Sequence, residues 1–169
     1  MLIPSNQLTS HSLTSLHTGR SLGAISHPII DPFKLRVVGF YLQSDPRLLM
    51  VDDIREISSG KVALDSEDVL AESEDLLRHQ DILDINYQLI GKKAVTRSGE
   101  KLGKVDEYVI DNLSWDIAKI HIRQPIWRSL TNGILIVDRQ QIVELKDSLV
   151  IVEDTVIRSP ELAPQQVSS

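Results

Sequence analysis

Thr18-Gly19-Arg20-Ser21-Leu22-Gly23-Ala24-Ile25 reappears 80 positions later as Ser98-Gly99-Glu100-Lys101-Leu102-Gly103-Lys104-Val105. The correspondence runs on without a gap. Ile29-Ile30-Asp31 falls on Val109-Ile110-Asp111, and Leu35, Val37, Val38, Phe40 and Leu42 fall on Trp115, Ile117, Ala118, Ile120 and Ile122. After a loop of unequal length, Leu49-Met50-Val51 and Asp53-x-x-x-Ile57 resume against Ile134-Leu135-Ile136 and Asp138-x-x-x-Ile142, and Val62-Ala63-Leu64 against Leu149-Val150-Ile151. Apolar positions meet apolar positions throughout, so the chain holds two versions of one unit.

Each unit reads as short strands. Thr18-Gly19 and Ser98-Gly99 lie between apolar segments as tight-turn dipeptides and predict a hairpin at each. Gly23 and Gly103 fall inside the next strand, where glycine marks a bulge or bend that lets a sheet curl. The strand after that alternates 35, 37 and then slips to 38, 40, 42; its counterpart alternates 115, 117 and slips to 118, 120, 122. A phase slip of this kind is the signature of a bulge. Bent strands, and too few residues per unit for a two-layer sandwich, predict an all-β fold of two small barrels. Marginal cores of that size gain from packing on each other.

Composition agrees. Of 169 residues 41% are hydrophobic but only 4% aromatic, so the cores must be filled by aliphatic side chains, many of them β-branched. Cysteine is absent, which removes disulfides, thiolate metal sites and thiol catalysis and fits a cytoplasmic location. The N-terminus Met1-Leu2-Ile3-Pro4-Ser5-Asn6 has neither the basic residue nor the apolar run of a signal peptide, and no stretch reaches the roughly 20 apolar residues of a membrane span. Between residues 65 and 84, eight carboxylates stand against Arg78 alone, a local charge of −7 that leaves the rest of the −6 chain at +1. Within that segment Val69, Leu70, Leu76 and Leu77 recur at helical spacing after Ser66, a candidate N-cap. The expected organisation is a first unit over 1–65, an acidic helical linker over 66–86, a second unit over 87–158 and a disordered tail over 159–169.

Leu89-Ile90-Gly91-Lys92-Lys93-Ala94-Val95-Thr96-Arg97-Ser98-Gly99-Glu100-Lys101-Leu102-Gly103-Lys104-Val105, followed by Val109-Ile110-Asp111, resembles the opening of PRC-barrel domains. Ile134-Leu135-Ile136-Val137-Asp138 and Ile142 resemble that family's closing strands. In the first unit the clearest match is His17-Thr18-Gly19-Arg20-Ser21-Leu22-Gly23-Ala24-Ile25. The resemblance spans nearly all of the chain except the tail and implies two tandem PRC-type barrels acting as binding modules, without catalytic residues or a cofactor. Members include part of the photosynthetic reaction-centre H subunit and a domain of a ribosome maturation factor. Neither the membrane helix of the first nor the extra domain of the second is found here.

No catalytic constellation emerges from the residues either. Gly99-Glu100-Lys101-Leu102-Gly103-Lys104-Val105 misses a P-loop by one residue of spacing and by the hydroxyl that would meet magnesium. His11, His17, His27, His79 and His121 show no metal-ligand spacing. Asp31 and Asp111 recur at one place, where a strand ends, and an aspartate there caps backbone amides. Asn112-Leu113-Ser114 matches a glycosylation sequon, but nothing in the sequence routes the chain to secretion.

Two candidate surfaces remain. Ile126, Trp127 and Leu130 lie in the loop that is longer in the second unit, so the repeat does not dictate them; they are the expected contacts for a protein partner. Lys92, Lys93, Arg97, Lys101 and Lys104 gather around the second unit's first hairpin and could meet RNA phosphates or an acidic protein. Against RNA stand the absence of an interleaved aromatic for base stacking, the use of lysines to protect edge strands, and an acidic linker near enough in sequence to neutralise them. The sequence therefore points to a non-enzymatic docking or scaffolding module, with a ribosome-assembly or RNA-processing factor as the alternative, and leaves self-association open.

Overall fold

The computed structural model describes residues 1–128 and 133–157. Strands make up 48% of the described residues against α-helices of four and six residues, which makes the fold all-β. In chain order the elements are β1 (Leu2–Pro4), α1 (Ser5–Leu8), β2 (Ser12–Ser15), β3 (Ser21–Asp31), β4 (Arg36–Leu42), β5 (Leu48–Met50), β6 (Ile54–Ser58) and β7 (Lys61–Leu64). There follow α2 (Gln80–Ile85), β8 (Lys93–Thr96), β9 (Lys101–Asp111), β10 (Ile117–Arg123), β11 (Ile134–Asp138), β12 (Ile142–Leu145) and β13 (Leu149–Val152).

The strands form two sheets of one topology. Their orders are β5-β4-β3-β2-β7-β6 and β11-β10-β9-β8-β13-β12, and one of them curls as a half-barrel. In each, the unit's opening strand pairs in parallel with its closing strand, β2 with β7 and β8 with β13. The hairpins fall where the turn dipeptides predict, with Gly19 and Gly99 at φ +67° and +88°. The bulges fall where the phase slips: Val38 and Ala118 are skipped between paired neighbours in β4 and β10.

Past the unequal loop the structure corrects the alignment of the units. Val62 takes the place beside Leu13 that Val150 takes beside Ala94, so the closing strands lie 88 positions apart. Matching by apolar pattern alone puts Val62 on Leu149 instead. Leu149-Val150-Ile151-Val152 is apolar at all four positions and carries no phase to fix the register.

The connection between the units is not one helix. Single 3₁₀ turns at Glu67–Val69, Ser73–Asp75 and Leu77–His79 precede α2. Ser66 does cap the first of them, its hydroxyl accepting from the Asp68 amide at 3.3 Å. Beyond it, Leu48 and Ala71 exchange backbone hydrogen bonds of 2.8 and 3.0 Å, which holds the chain extended beside β5. Glu72, Glu74 and Asp75 then crowd within four residues, where like charges oppose a helix. The tail from Ser159 to Ser169 lies outside the described residues.

The units are joined by a symmetrical contact. Asp31 opens one turn, its Oδ1 accepting from the amides of Phe33 and Lys34 at 3.0 and 3.1 Å; Asp111 opens the equivalent turn by accepting from Leu113 at 2.9 Å. Both carboxylates thus serve as turn caps. Each turn returns through a residue of positive φ, Leu35 at +53° and Trp115 at +62°. The Val37 amide then donates to the Trp115 carbonyl and the Ile117 amide to the Leu35 carbonyl, both at 2.9 Å, as a local two-fold axis would require. Trp115 is buried edge-on to Phe40, with ring centroids 5.6 Å apart. A single hydrophobic core runs through both units, as marginal cores demand. β1, although it opens the chain, adds to the second sheet by pairing Ile3 with Ile110.

Candidate docking groove

Leu149 on β13, Lys93 on β8, Lys104 on β9 and Arg123 on β10 are lateral neighbours across four adjacent strands. Residues paired in this way project from the same face of a sheet. Three cations therefore stand in one row beside a leucine. Val95 and Lys101 form the next pair on the same face, while Ala94, Leu102 and Val105 turn into the core.

The loop after β10 folds back towards this face. Arg128 donates its amide to the Pro125 carbonyl at 2.9 Å, closing a turn, and its guanidinium bonds the carboxylate of Glu100 at the tip of the β8–β9 hairpin. That ion pair brings the loop to the lysines. The result is a groove of about 670 Å³ lined by Arg123, Pro125 and Trp127 from β10 and the loop after it, by Lys93, Lys101 and Lys104, and by Val95, Gly103 and Leu149. Trp127 is 76% exposed. Ile126 is equally exposed beside it but does not line the groove, and Leu130 lies outside the described residues.

Charge is distributed unevenly over the five basic candidates. Lys92 is tied down, donating to the Asp147 carbonyl and sitting 4.5 Å over the Tyr87 ring. Arg97 pairs with Glu153 at 3.0 Å, and neither residue lines the groove. Arg123, which does, pairs with Asp106 at 2.8 Å. Among the described residues Lys93, Lys101 and Lys104 form no ion pair.

Three expectations about these lysines give way. They do not guard a sheet edge, because β8 and β9 are interior strands; the edges are β11 and β12. The linker does not neutralise them: Asp65 and Glu67 pair with Arg55 and Arg47 of the first unit at 2.6 and 2.7 Å, and no residue of the segment 66–86 lines the groove. Nor do they lack an aromatic neighbour, since the fold delivers Trp127 from a loop some two dozen residues away. Part of each candidate surface, Trp127 of one and Lys93, Lys101 and Lys104 of the other, lines this one groove. Arg123, Pro125, Val95 and Leu149 complete it, and sequence alone gave no reason to group them.

The first unit supplies an internal comparison. By strand pairing, Ser12, Ala24, Thr14 and Ser21 stand where Lys93, Lys104, Val95 and Lys101 stand in the second, with Lys61 in place of Leu149. One lysine there replaces three, and the shorter loop Gln43-Ser44-Asp45-Pro46-Arg47 carries no aromatic. The fold alone therefore demands neither the lysine row nor the indole.

Energetically the two kinds of group do different work. Covering an indole removes roughly 150–250 Å² from water, about 4–6 kcal/mol at most, whereas each solvent-exposed ion pair contributes about 0.2–1 kcal/mol. For any ligand covering both, the apolar contact would set affinity, and the lysines would set which molecules approach and how fast.

His27 stacks on Tyr41 with ring centroids 4.4 Å apart, and burial holds its pKa below the usual 6.5. Tyr108, in the core beside Ser5 and Glu107, is pushed well above the usual tyrosine range by burial. Among the described residues no three His, Asp or Glu side chains gather as metal ligands, and no helix is long and apolar enough to cross a membrane. No protein-family model matches the chain, and no curated protein is similar to it.

Proposed function

We propose that this chain is a non-catalytic docking module, a tandem pair of PRC-type barrels, whose second unit receives a protein partner in the groove lined by Trp127 and the three lysines. The partner presents an acidic stretch carrying at least one large apolar side chain. The observation that carries this reading is the convergence of Lys93, Lys101 and Lys104, unpaired and on interior strands, beside an exposed tryptophan that the first unit lacks. A cysteine-free composition supports a cytoplasmic setting.

The same juxtaposition favours a second reading, single-stranded RNA held by its phosphates with a base on Trp127, as a ribosome-assembly factor would need. It ranks second for two reasons. One indole gives one stacking platform where single strands are held by successive bases on several aromatics, and it suits a single large apolar side chain equally well. Salt dependence alone does not separate the readings, because both ligands engage the same lysines.

The test is fluorescence anisotropy with two labelled probes, a twelve-residue peptide of glutamates around a Leu-Leu pair and a ten-nucleotide oligouridylate. The peptide is expected to bind, at least tenfold more weakly to Trp127→Ala and several-fold more weakly to Lys101→Gln/Lys104→Gln. Tight oligouridylate binding with no peptide binding would reverse the ranking.

A further inference from the structure

The acidic segment between the units has the chemistry that this groove selects. Asp65 and Glu67 are consumed by Arg55 and Arg47, but Asp68, Glu72, Glu74, Asp75, Asp81 and Asp84 form no ion pair among the described residues. In their midst Leu77 is 80% exposed, more than Trp127 itself. Six unpaired carboxylates around a protruding leucine complement three unpaired lysines around an exposed indole.

Within one molecule the two surfaces do not meet. The segment lies against the first unit: Ala71 bridges to Leu48, and Arg78, His79, Asp81 and Ile82 line a cleft with Lys34 and Met50. The groove is built wholly from residues 93–149. A contact between them has to be made in trans.

We propose that the groove of one molecule receives the 72–85 segment of a second molecule of this chain, with Leu77 against Trp127 and the carboxylates of Glu74 and Asp75 among Lys93, Lys101 and Lys104. This deepens the docking reading and rests on it. Because segment and groove are different surfaces, the contact is heterologous, and each molecule keeps a free segment at one end and a free groove at the other. Association therefore continues into rings or open chains rather than stopping at a dimer. Its electrostatic part weakens as the Debye length shrinks, from about 10 Å at 0.1 M salt to about 3 Å at 1 M.

Sedimentation velocity on the full chain tests this, from about 5 to 500 µM protein in low salt, the range that a micromolar contact spans. The wild type is expected to shift to larger species with concentration. Trp127→Ala, which removes the groove's indole, and Leu77→Ser, which removes the segment's leucine, are each expected to remain monomeric, while the neutralised variants Lys101→Gln/Lys104→Gln and Glu74→Gln/Asp75→Asn are expected to need several-fold more protein to associate. An equimolar mixture of the first two is expected to form a dimer and stop there, since only one intact groove and one intact segment can meet. All the changed side chains are exposed, and circular dichroism confirms folding. A wild type that stays monomeric, association untouched by these variants, or a mixture that fails to dimerise overturns self-docking. If the glutamate–leucine peptide still binds in a Trp127-dependent way, the docking reading stands without it; if the peptide fails too, both fall.

Discussion

Gly23 and Gly103 occupy the same place in the two units, and substituting each by alanine separates two costs that usually arrive together. Both have a backbone that L-residues rarely adopt, φ +111° and +143°. A side chain at either position carries conformational strain of about 1–3 kcal/mol. The surroundings differ. A Cβ at Gly23 meets nothing within 4 Å, whereas at Gly103 it would sit 2.1 Å from the carbonyl oxygen of Arg123, 2.9 Å from its carbonyl carbon and 3.2 Å from Cα of Gln124. All three atoms are backbone, so no rotamer change relieves the clash; β10 has to move away. That adds about 1–3 kcal/mol of overpacking. Gly23→Ala should therefore cost about 1–3 kcal/mol and Gly103→Ala about 2–6, a large share of the roughly 5–15 kcal/mol that holds a domain folded. Lys104→Ala, next door and exposed, should fall within about 0.5 kcal/mol of wild type. Urea unfolding followed by circular dichroism, with m-values compared across the series, reads all three. Since Arg123 and Gln124 also line the groove, Gly103→Ala should weaken peptide binding along with stability, while Lys104→Ala weakens binding alone. Equal losses for the two glycine variants would refute the steric argument.

Trp115→Ala should destabilise by about 3–5 kcal/mol, because a large buried ring against Phe40 is lost at the contact between the units; thermal melts of the variant check this. Asp31→Ala should cost more than Asp111→Ala, since buried Asp31 caps two amides and half-exposed Asp111 one; urea midpoints of the pair decide it. For pH, His27 has its folded-state pKa lowered by burial, so the unfolded chain takes up its proton first. Its contribution is fully present above about pH 7 and is lost as pH falls through 6.5 towards the lower folded value. Half-exposed His11 shifts in the same sense. Urea midpoints from pH 8 to pH 5 should decline, less steeply in His27→Gln.

What the sequence disclosed were features fixed by a few neighbouring residues. The turn glycines, the slips at Val38 and Ala118, and the capping aspartates Asp31 and Asp111 each follow from local backbone geometry and were readable in place. What it concealed depended on distant partners. The pattern Val69, Leu70, Leu76, Leu77 suits a helix, yet the hydrogen bonds of Ala71 to Leu48 claim the chain first. Three residues of β1 carry no mark that they belong beside β9. The lysines and Trp127 looked like rival surfaces because the ion pair that unites them, Arg128 with Glu100, spans 28 residues. An exposed hairpin lysine and an exposed loop tryptophan have no sequence periodicity to share.

Because the two units have one topology, the face of the first can serve as a blank on which to separate charge from indole. Ser12→Lys, Ser21→Lys and Ala24→Lys would rebuild there the positions of Lys93, Lys101 and Lys104, on strands paired in the same way. The loop after β4 would still offer no aromatic. If lysines mainly steer and the indole holds, three exposed ion pairs worth about 0.2–1 kcal/mol each cannot replace the roughly 4–6 kcal/mol ceiling of a covered tryptophan. In a Trp127→Ala background the triple-lysine variant should therefore bind the glutamate–leucine peptide weakly, with faster encounter but unchanged fast release, and the small gain should vanish at high salt. Stopped-flow anisotropy measures both rates. Recovery of wild-type affinity by the three lysines alone would mean that charge holds the partner, and would move the weight of the site from Trp127 to the lysine row.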